Sequence, residues 1–281
     1  MREMGASNMG ASKMADLKTN APRIAIPVPH SADPSYAQRS LPQYEDAVRA
    51  AGGEPVRIEL DQTPAQVREQ IERCDAVLLP GSGADVDPAK YGAARHSKTA
   101  PADAKRDAVD ELLLDDAYAQ RKPVLGICYG LQSLNVYQSG TLAQHIESAI
   151  NHSPGRTVAK AHKVIIEPKS RLAEIVGASP LAVNSSHHQA AEVAGNGLRV
   201  VARSEEDGVI EALEGTAQEH FVLAVQWHPE RSVNEAPEVA ESARAIFDGF
   251  IEAARGKYAE SKAPLRWQET MRSPPGNSRE K

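Results

Sequence analysis

Cys128 is the residue whose surroundings suggest chemistry first. The stretch Pro123-Val-Leu-Gly-Ile-Cys-Tyr-Gly-Leu-Gln132 joins an apolar run (Val124, Leu125, Ile127) to a segment of helical texture. Between them stands Gly126-x-Cys128-x-Gly130, the nucleophile-elbow pattern with cysteine in place of serine. A strand that turns directly into a helix forces its central residue into strained backbone, and glycines two places before and after make room. The sulfur is then lifted above the sheet edge at a helix N-terminus, where backbone N–H dipoles favour thiolate. A packed structural thiol is the competing reading, and it needs neither glycine.

A base for that thiol stands in Phe221-Val-Leu-Ala-Val-Gln-Trp-His228-Pro-Glu230. The apolar run Phe221–Val225 reads as a strand, and along extended backbone residues two apart point the same way. Pro229 restrains the backbone between His228 and Glu230. The spacing therefore predicts imidazole and carboxylate side by side, Glu230 orienting the ring and stabilising its charged form. Alone, His-Pro-Glu fits a strand-end turn with a solvated glutamate equally well. Beside the cysteine elbow it completes a Cys128-His228-Glu230 triad. The N–H of Tyr129, just after the nucleophile, is a candidate oxyanion donor, and Gln132 lies one helical turn on, on the face of Cys128.

The elements that must position these groups alternate. Arg23–Pro29 reads as a strand, Leu41–Ala51 as a helix stopped by Gly52-Gly53, and Pro55–Leu60 as a strand. Thr63-Pro64-x-Gln66 combines a capping box with proline at the first helical position, opening a helix to about Arg73. Ala76–Leu79 is a strand running into the Gly81-Ser82-Gly83 turn, and Ala102–Gln120 is a long helix before the elbow strand. This order predicts an α/β fold with a doubly wound, mostly parallel sheet, which binds ligands at the carboxyl ends of its strands. From His162 to Val225 the texture changes to short strands (Val164–Glu167, Leu198–Ala202, Val209–Leu213) without intervening helices, predicting antiparallel strands at the sheet edge. Ala236–Arg255 closes the domain as a helix. The expected division is a polar tail over 1–20, one domain over 21–256 and a charged, proline-containing tail over 257–281.

With the elbow and His-Pro-Glu in view, the chain resembles the class I glutamine amidotransferase-like superfamily, which is flavodoxin-like in architecture. Four further stretches make it most similar to the gamma-glutamyl-gamma-aminobutyrate hydrolase branch: Leu79-Pro-Gly-Ser-Gly-Ala-Asp-Val-Asp-Pro88, Lys105-Arg-Asp107, Val183-Asn-Ser-Ser-His-His-Gln189 and Val225-Gln-Trp-His-Pro-Glu230. The resemblance runs from Arg23 to Ala254. It implies a cysteine hydrolase that cleaves gamma-glutamyl amides of small amines through a glutamyl thioester, in amine or polyamine catabolism. It places the second oxyanion donor at or next to Gly81, although Ser82 stands where many relatives have glycine. It also puts Gln132 on the glutamyl α-groups and the Asn184–His188 stretch at the pocket wall. Within that stretch Ser185 and His187 share a face under strand alternation and are the expected substrate contacts. Arg106 and Asp107 match an Arg-Asp pair of the branch, for which a solvated helix face competes with substrate contact. The alternative function is a glutaminase subunit that hands ammonia to a separate synthase partner; a regulatory module without turnover is a third.

No cofactor is expected. A metal is not expected either, because adjacent His187 and His188 point to opposite faces of a strand and have no spaced partners. His30, His96, His145, His152, His162 and His220 lack a chemical neighbour in sequence and read as structural. Of 281 residues 41% are hydrophobic and 25% charged, which is ordinary for a globular protein. Net charge −6 without a basic cluster argues against nucleic acid. Two cysteines rule out a disulfide framework, and Cys74, beside the Ala76–Leu79 strand, reads as structural. No apolar run reaches the roughly 20 residues that span a bilayer, and no apolar core follows Arg2 as in a secretory leader. Cytoplasm is the expected location and a homodimer the statistical default. The pocket beyond the glutamyl group is expected from the irregular segments Ser31–Ser40 and Tyr91–Ala104.

Overall fold

Alternating Val, Leu and Ile at strand positions, with apolar faces on the flanking helices, give a three-layer arrangement in the computed structural model, which describes residues 21–177 and 179–262. The expected tail at 1–20 lies outside the described residues, as does the expected tail at 257–281 beyond 262. The strands are β1 (Arg23–Pro27), β2 (Glu54–Ile58), β3 (Ala76–Leu79), β4 (Val124–Ile127), β5 (Thr141–Ala143), β6 (His162–Ile166), β7 (Leu181–Val183), β8 (Ala190–Val193), β9 (Leu198–Ser204), β10 (Ile210–Gly215) and β11 (Val222–Val225). The helices are α1 (Pro34–Ala50), α2 (Pro64–Ile71), α3 (Ala104–Gln120), α4 (Tyr129–Tyr137), α5 (Arg171–Val176), α6 (Pro229–Ser232) and α7 (Pro237–Lys262).

The main sheet runs β2-β1-β3-β4-β11-β10-β9-β6-β7. Its β2-to-β11 half is parallel, and the rest continues antiparallel from β11 outward. The doubly wound, mostly parallel sheet with antiparallel edge strands is therefore present as expected. A separate two-stranded ribbon pairs β5 with β8.

Strand alternation divides the core. Ile24, Ile26, Leu125, Ile127, Leu223 and Val225 face one layer with Tyr44 and Val48 of α1 and Phe247 and Phe250 of α7. Ala25, Val124, Val222 and Ala224 face the other, with Val67 of α2, Leu113 of α3 and Leu134 of α4. β4 and β11 are adjacent and in parallel register, Ile127 opposite Val225. Their carboxyl ends thus bring the cysteine elbow and the His-Pro-Glu segment together.

Three elements differ from expectation. α1 begins at Pro34, inside the segment expected to be irregular, because the Asp33 side chain accepts the Tyr36 N–H and Pro34 supplies the helical φ. Pro42 sits within that helix without ending it. The short helix α5 interrupts the edge strands, capped by Ser170 and stopped by Gly177 in left-handed backbone (φ 65°). Finally, α7 continues to Lys262, beyond the expected end at Arg255.

Candidate active site

Cys128 follows β4 and caps α4 with φ 55° and ψ −106°, a region that L-residues avoid at a cost of about 1–3 kcal/mol. The strain persists because its surroundings fix it. The Cys128 N–H donates to the Val225 carbonyl at 2.8 Å, and the Cys128 carbonyl accepts the Leu131 and Gln132 N–H groups of α4. Both flanking glycines are obligatory: a Cβ on Gly130 would strike the Leu79 carbonyl oxygen, and one on Gly126 would lie 2.8 Å from the Gly130 carbonyl oxygen. The elbow is thus wedged between β3 and β11.

His228 and Glu230 meet by a different geometry from the one that the spacing suggests. β11 stops at Val225, and His228 caps the single turn α6, with Pro229 at its first position. Helical backbone, not extended strand, brings the Glu230 carboxylate back under the ring, where Oε1 accepts from His228 Nδ1 at 2.7 Å. Asn184 clamps the histidine backbone from both sides: its Oδ1 accepts the His228 N–H at 2.9 Å, and its Nδ2 donates to the His228 carbonyl at 2.8 Å. The far ring nitrogen, Nε2, accepts from Arg231 Nη2 at 3.1 Å. An arginine only donates, so Nε2 carries a lone pair and Nδ1 the proton, the tautomer of a general base.

The Pro80-Gly81-Ser82 turn closes the other side. A Cβ on Gly81 would lie 3.0 Å from His228 Cε1 and 3.6 Å from Cys128 Cβ, so a side chain there would crowd the imidazole beside the sulfur. The Gly81 N–H, expected as an oxyanion donor, donates to the Tyr44 hydroxyl at 3.0 Å in this structure. Ser82, the next residue, lines the cavity in front of Cys128. Arg106 braces this turn. It is fully buried, with Nη2 on the Pro80 carbonyl at 2.8 Å, Nη1 on the Pro29 carbonyl at 3.1 Å and Nε on Asp110 at 2.6 Å. Neither a solvated face nor a substrate contact describes it. Asp107 is likewise engaged, accepting from the Tyr129 hydroxyl at 2.5 Å.

In front of the sulfur opens a cavity of about 360 Å³ lined by Tyr36, Arg39, Ser82, Gln132, Arg156 and Arg231, among others. His187 also lines it, as expected, but Ser185 does not. Residues 184–188 follow β7 as irregular backbone, so strand alternation fails there. The Ser185 hydroxyl is buried and donates to the His152 carbonyl at 2.7 Å, while Ser186 and His188 reach the cavity. Gln132 reaches it with its amide nitrogen already bonded to the Gln189 carbonyl (3.1 Å) and Gln226 Oε1 (3.2 Å). Of the two segments expected to form the outer pocket, Ser31–Ser40 contributes through Tyr36 and Arg39, and Tyr91–Ala104 supplies none of the lining.

The Peptidase C26 family model matches residues 24–230, which contain the elbow, the bracing turn and the His-Pro-Glu segment. The chain belongs to the Peptidase C26 family. Among its relatives, a proposed glutamine amidotransferase of Mycobacterium tuberculosis is 39% identical over 217 residues, covering 76% of this chain and 67% of the relative. The gamma-glutamyl-gamma-aminobutyrate hydrolase of Escherichia coli K12 is 31% identical over 255 residues, covering 86% of this chain and 97% of that protein. A proposed GMP synthase component from Thermoplasma acidophilum shares the fold, with TM-score 0.60 at 16% identity, covering 86% of this chain and 98% of that one. The chain is thus a class I glutamine amidotransferase-like protein of a hydrolase family, as its motifs implied.

The electrostatics of this Peptidase C26 site favour a neutral resting pair. Burial pushes the Cys128 thiol up to about 12, against the pull of the Arg231 guanidinium and the Tyr129 N–H. Burial also holds His228 below the usual imidazole range, outweighing the attraction of Glu230. Burial opposes ionisation of Glu230, but the adjoining His228 and Arg231 prevail and keep its carboxyl low. Desolvation thus opposes the thiolate that the helix N-terminus favours. Cys74 is buried away from this site, its thiol 3.4 Å from the Gln70 carbonyl. Two site residues, Asn184 and Arg231, have roles that the motifs do not show. For Arg231 the available signal is its place one residue after Glu230, on the single turn that His228 caps.

Proposed function

We propose that the chain hydrolyses gamma-glutamyl amides whose leaving amine carries a carboxylate, gamma-glutamyl-gamma-aminobutyrate being the named candidate. The observation that carries this is the set of three guanidinium groups, Arg39, Arg156 and Arg231, lining the cavity in front of an elbow cysteine and a His–Glu pair. The likeness to the Escherichia coli hydrolase supports the same substrate. Cations at this mouth would repel a polyamine leaving group and attract an acidic one.

In this mechanism the Cys128 sulfur attacks the γ-carbonyl carbon while His228 Nε2 takes the thiol proton. The carbonyl becomes an oxyanion, held by the Tyr129 N–H and, from the turn, the Ser82 N–H. Collapse breaks the C–N bond, and His228 returns its proton to the departing amine, leaving a glutamyl thioester. Water then attacks the thioester, giving its proton to His228; glutamate leaves and Cys128 recovers the proton. Glu230 holds the imidazole and stabilises its charged form throughout. Arg231 caps the Nε2 lone pair at rest, so a substrate carboxylate that draws the guanidinium away also frees the base.

Glutamate release by the purified chain from gamma-glutamyl-gamma-aminobutyrate, gamma-glutamyl-putrescine and glutamine tests the proposal. Fast turnover of the first alone is expected. Preference for the putrescine compound would remove the acidic-amine assignment. Slow release from all three, stimulated by a partner, would favour an ammonia-delivering glutaminase.

A further inference from the structure

Behind the cavity wall lies a second cluster that the hydrolytic mechanism does not use. Glu211 of β10 is completely buried, and three imidazoles converge on its Oε1: His162 Nε2 at 3.0 Å, His152 Nδ1 at 3.4 Å and His187 Nε2 at 3.5 Å. The bond from His162 is an ordinary hydrogen bond. The other two contacts are not. His152 Nδ1 and His187 Nε2 have no hydrogen-bond partner, and neither has Glu211 Oε2.

The far side of each ring explains why. His152 Nε2 faces the Asp207 carboxylate at 2.9 Å and His187 Nδ1 faces the Gln189 carbonyl at 2.9 Å. Both of those oxygens only accept, so a ring that is neutral places its proton there and turns a lone pair toward Glu211. Two lone pairs and a carboxylate facing one another in a dry interior repel unless a positive charge, a ring proton or a metal ion, lies between them. A carboxylate or carbonyl behind a ligating histidine is the usual outer support of a metal-bound imidazole. The separations also suit an ion: two ligands held at about 2.1 Å in tetrahedral geometry stand about 3.4 Å apart. His152 Nδ1, His187 Nε2 and the Glu211 oxygen all lie within 4.8 Å of one another.

We propose that His152, His187 and Glu211 form a binding site for a divalent transition-metal cation of the zinc class. His162 orients the Glu211 carboxylate from the third side. His187 has no spaced partner in sequence because its partners come from elsewhere in the chain: His152 from the connection between β5 and β6, and Glu211 from β10. An ion there ties the connection bearing Arg156 and the segment bearing His187 to the sheet, so it fixes two walls of the substrate cavity. The site is independent of the hydrolytic assignment and can be read without turnover.

The test titrates the chelator-treated full chain with Co²⁺, read by visible d–d absorption, and then displaces it with Zn²⁺. One equivalent should bind with tetrahedral-type bands, unchanged in Cys128→Ala, which removes the nearest thiol. Glu211→Gln and His152→Gln should each weaken binding about tenfold or more. Thermal melting of the unsubstituted chain with and without Zn²⁺ provides a readout free of folding losses in those variants, and a rise in Tm is expected. Absence of bound Co²⁺ together with no Zn²⁺-dependent rise in Tm would overturn the proposal, and the cluster would then be held by an imidazolium proton. Binding abolished by Cys128→Ala would also overturn it.

Discussion

At the scale of single residues, burial favours a neutral thiol beside a neutral imidazole, and a pH dependence follows. His228 is held below its ordinary value of 6.5, and the proposed base role needs it deprotonated. Activity should therefore rise through a limb lying below pH 6.5 and be level at neutral pH; a kcat/KM profile checks this, and a limb above pH 7 would contradict it. Because burial lifts the thiol to about 12, iodoacetamide should label Cys128 slowly at pH 7 without substrate and faster as pH climbs. A thiolate titrating near neutrality in that experiment would mean that Arg231 and the helix terminus outweigh burial. Arg231 itself separates binding from chemistry. Losing one charge-assisted contact is worth about 1.5–3 kcal/mol, so Arg231→Gln should raise KM for gamma-glutamyl-gamma-aminobutyrate about ten- to a hundredfold. Steady-state kinetics should show a smaller change for glutamine, which presents no leaving-group carboxylate.

At the scale of elements, two backbone turns are held by buried side chains from elsewhere in the chain. Arg106 on α3 pins the Pro80 carbonyl, and Asn184 after β7 pins the backbone of His228. Arg106→Met would leave Asp110 buried without its cation, and breaking such a pair costs about 3–5 kcal/mol. A clear loss of Tm in that variant is expected, and an unchanged Tm would show that the ion pair contributes no net stability. These braces also mark the limits of sequence reading. The elbow is legible because its geometry is local: two glycines and an apolar run specify it within a few residues. The capping box at Thr63 is legible for the same reason, and the structure contains both of its hydrogen bonds. The role of Arg106 is not, because its carbonyl partners lie 77 and 26 residues away. Strand alternation misplaces Ser185 since residues 184–188 are irregular, and it misdescribes His228–Glu230, whose meeting depends on a helical turn. Asp33 and Pro34 do carry a helix start, and Pro42 lies inside that helix without ending it.

At the scale of the whole molecule, the parallel half of the sheet makes the reacting end and the antiparallel half makes its wall. β4 and β11 stand side by side, which sets Cys128 and His228 at one rim, while β10, the β5–β6 connection and the β7–β8 connection supply Glu211, His152 and His187 behind the cavity. No helix among the described residues is long and apolar enough to cross a membrane. The alternation of strands and helices makes this architecture readable from the sequence, whereas α5 and the β5–β8 ribbon, being short, leave little periodicity to read. The central claim is that the chemistry passes through a covalent bond at Cys128. Its most direct test is rapid acid quenching of the chain during turnover of gamma-glutamyl-gamma-aminobutyrate, with mass spectrometry of the Cys128 peptide, alongside glutamate release by Cys128→Ala. A glutamyl adduct on Cys128, with release falling about 10⁴-fold or more in a variant that still folds, is the predicted result. Undiminished glutamate release by Cys128→Ala would contradict it.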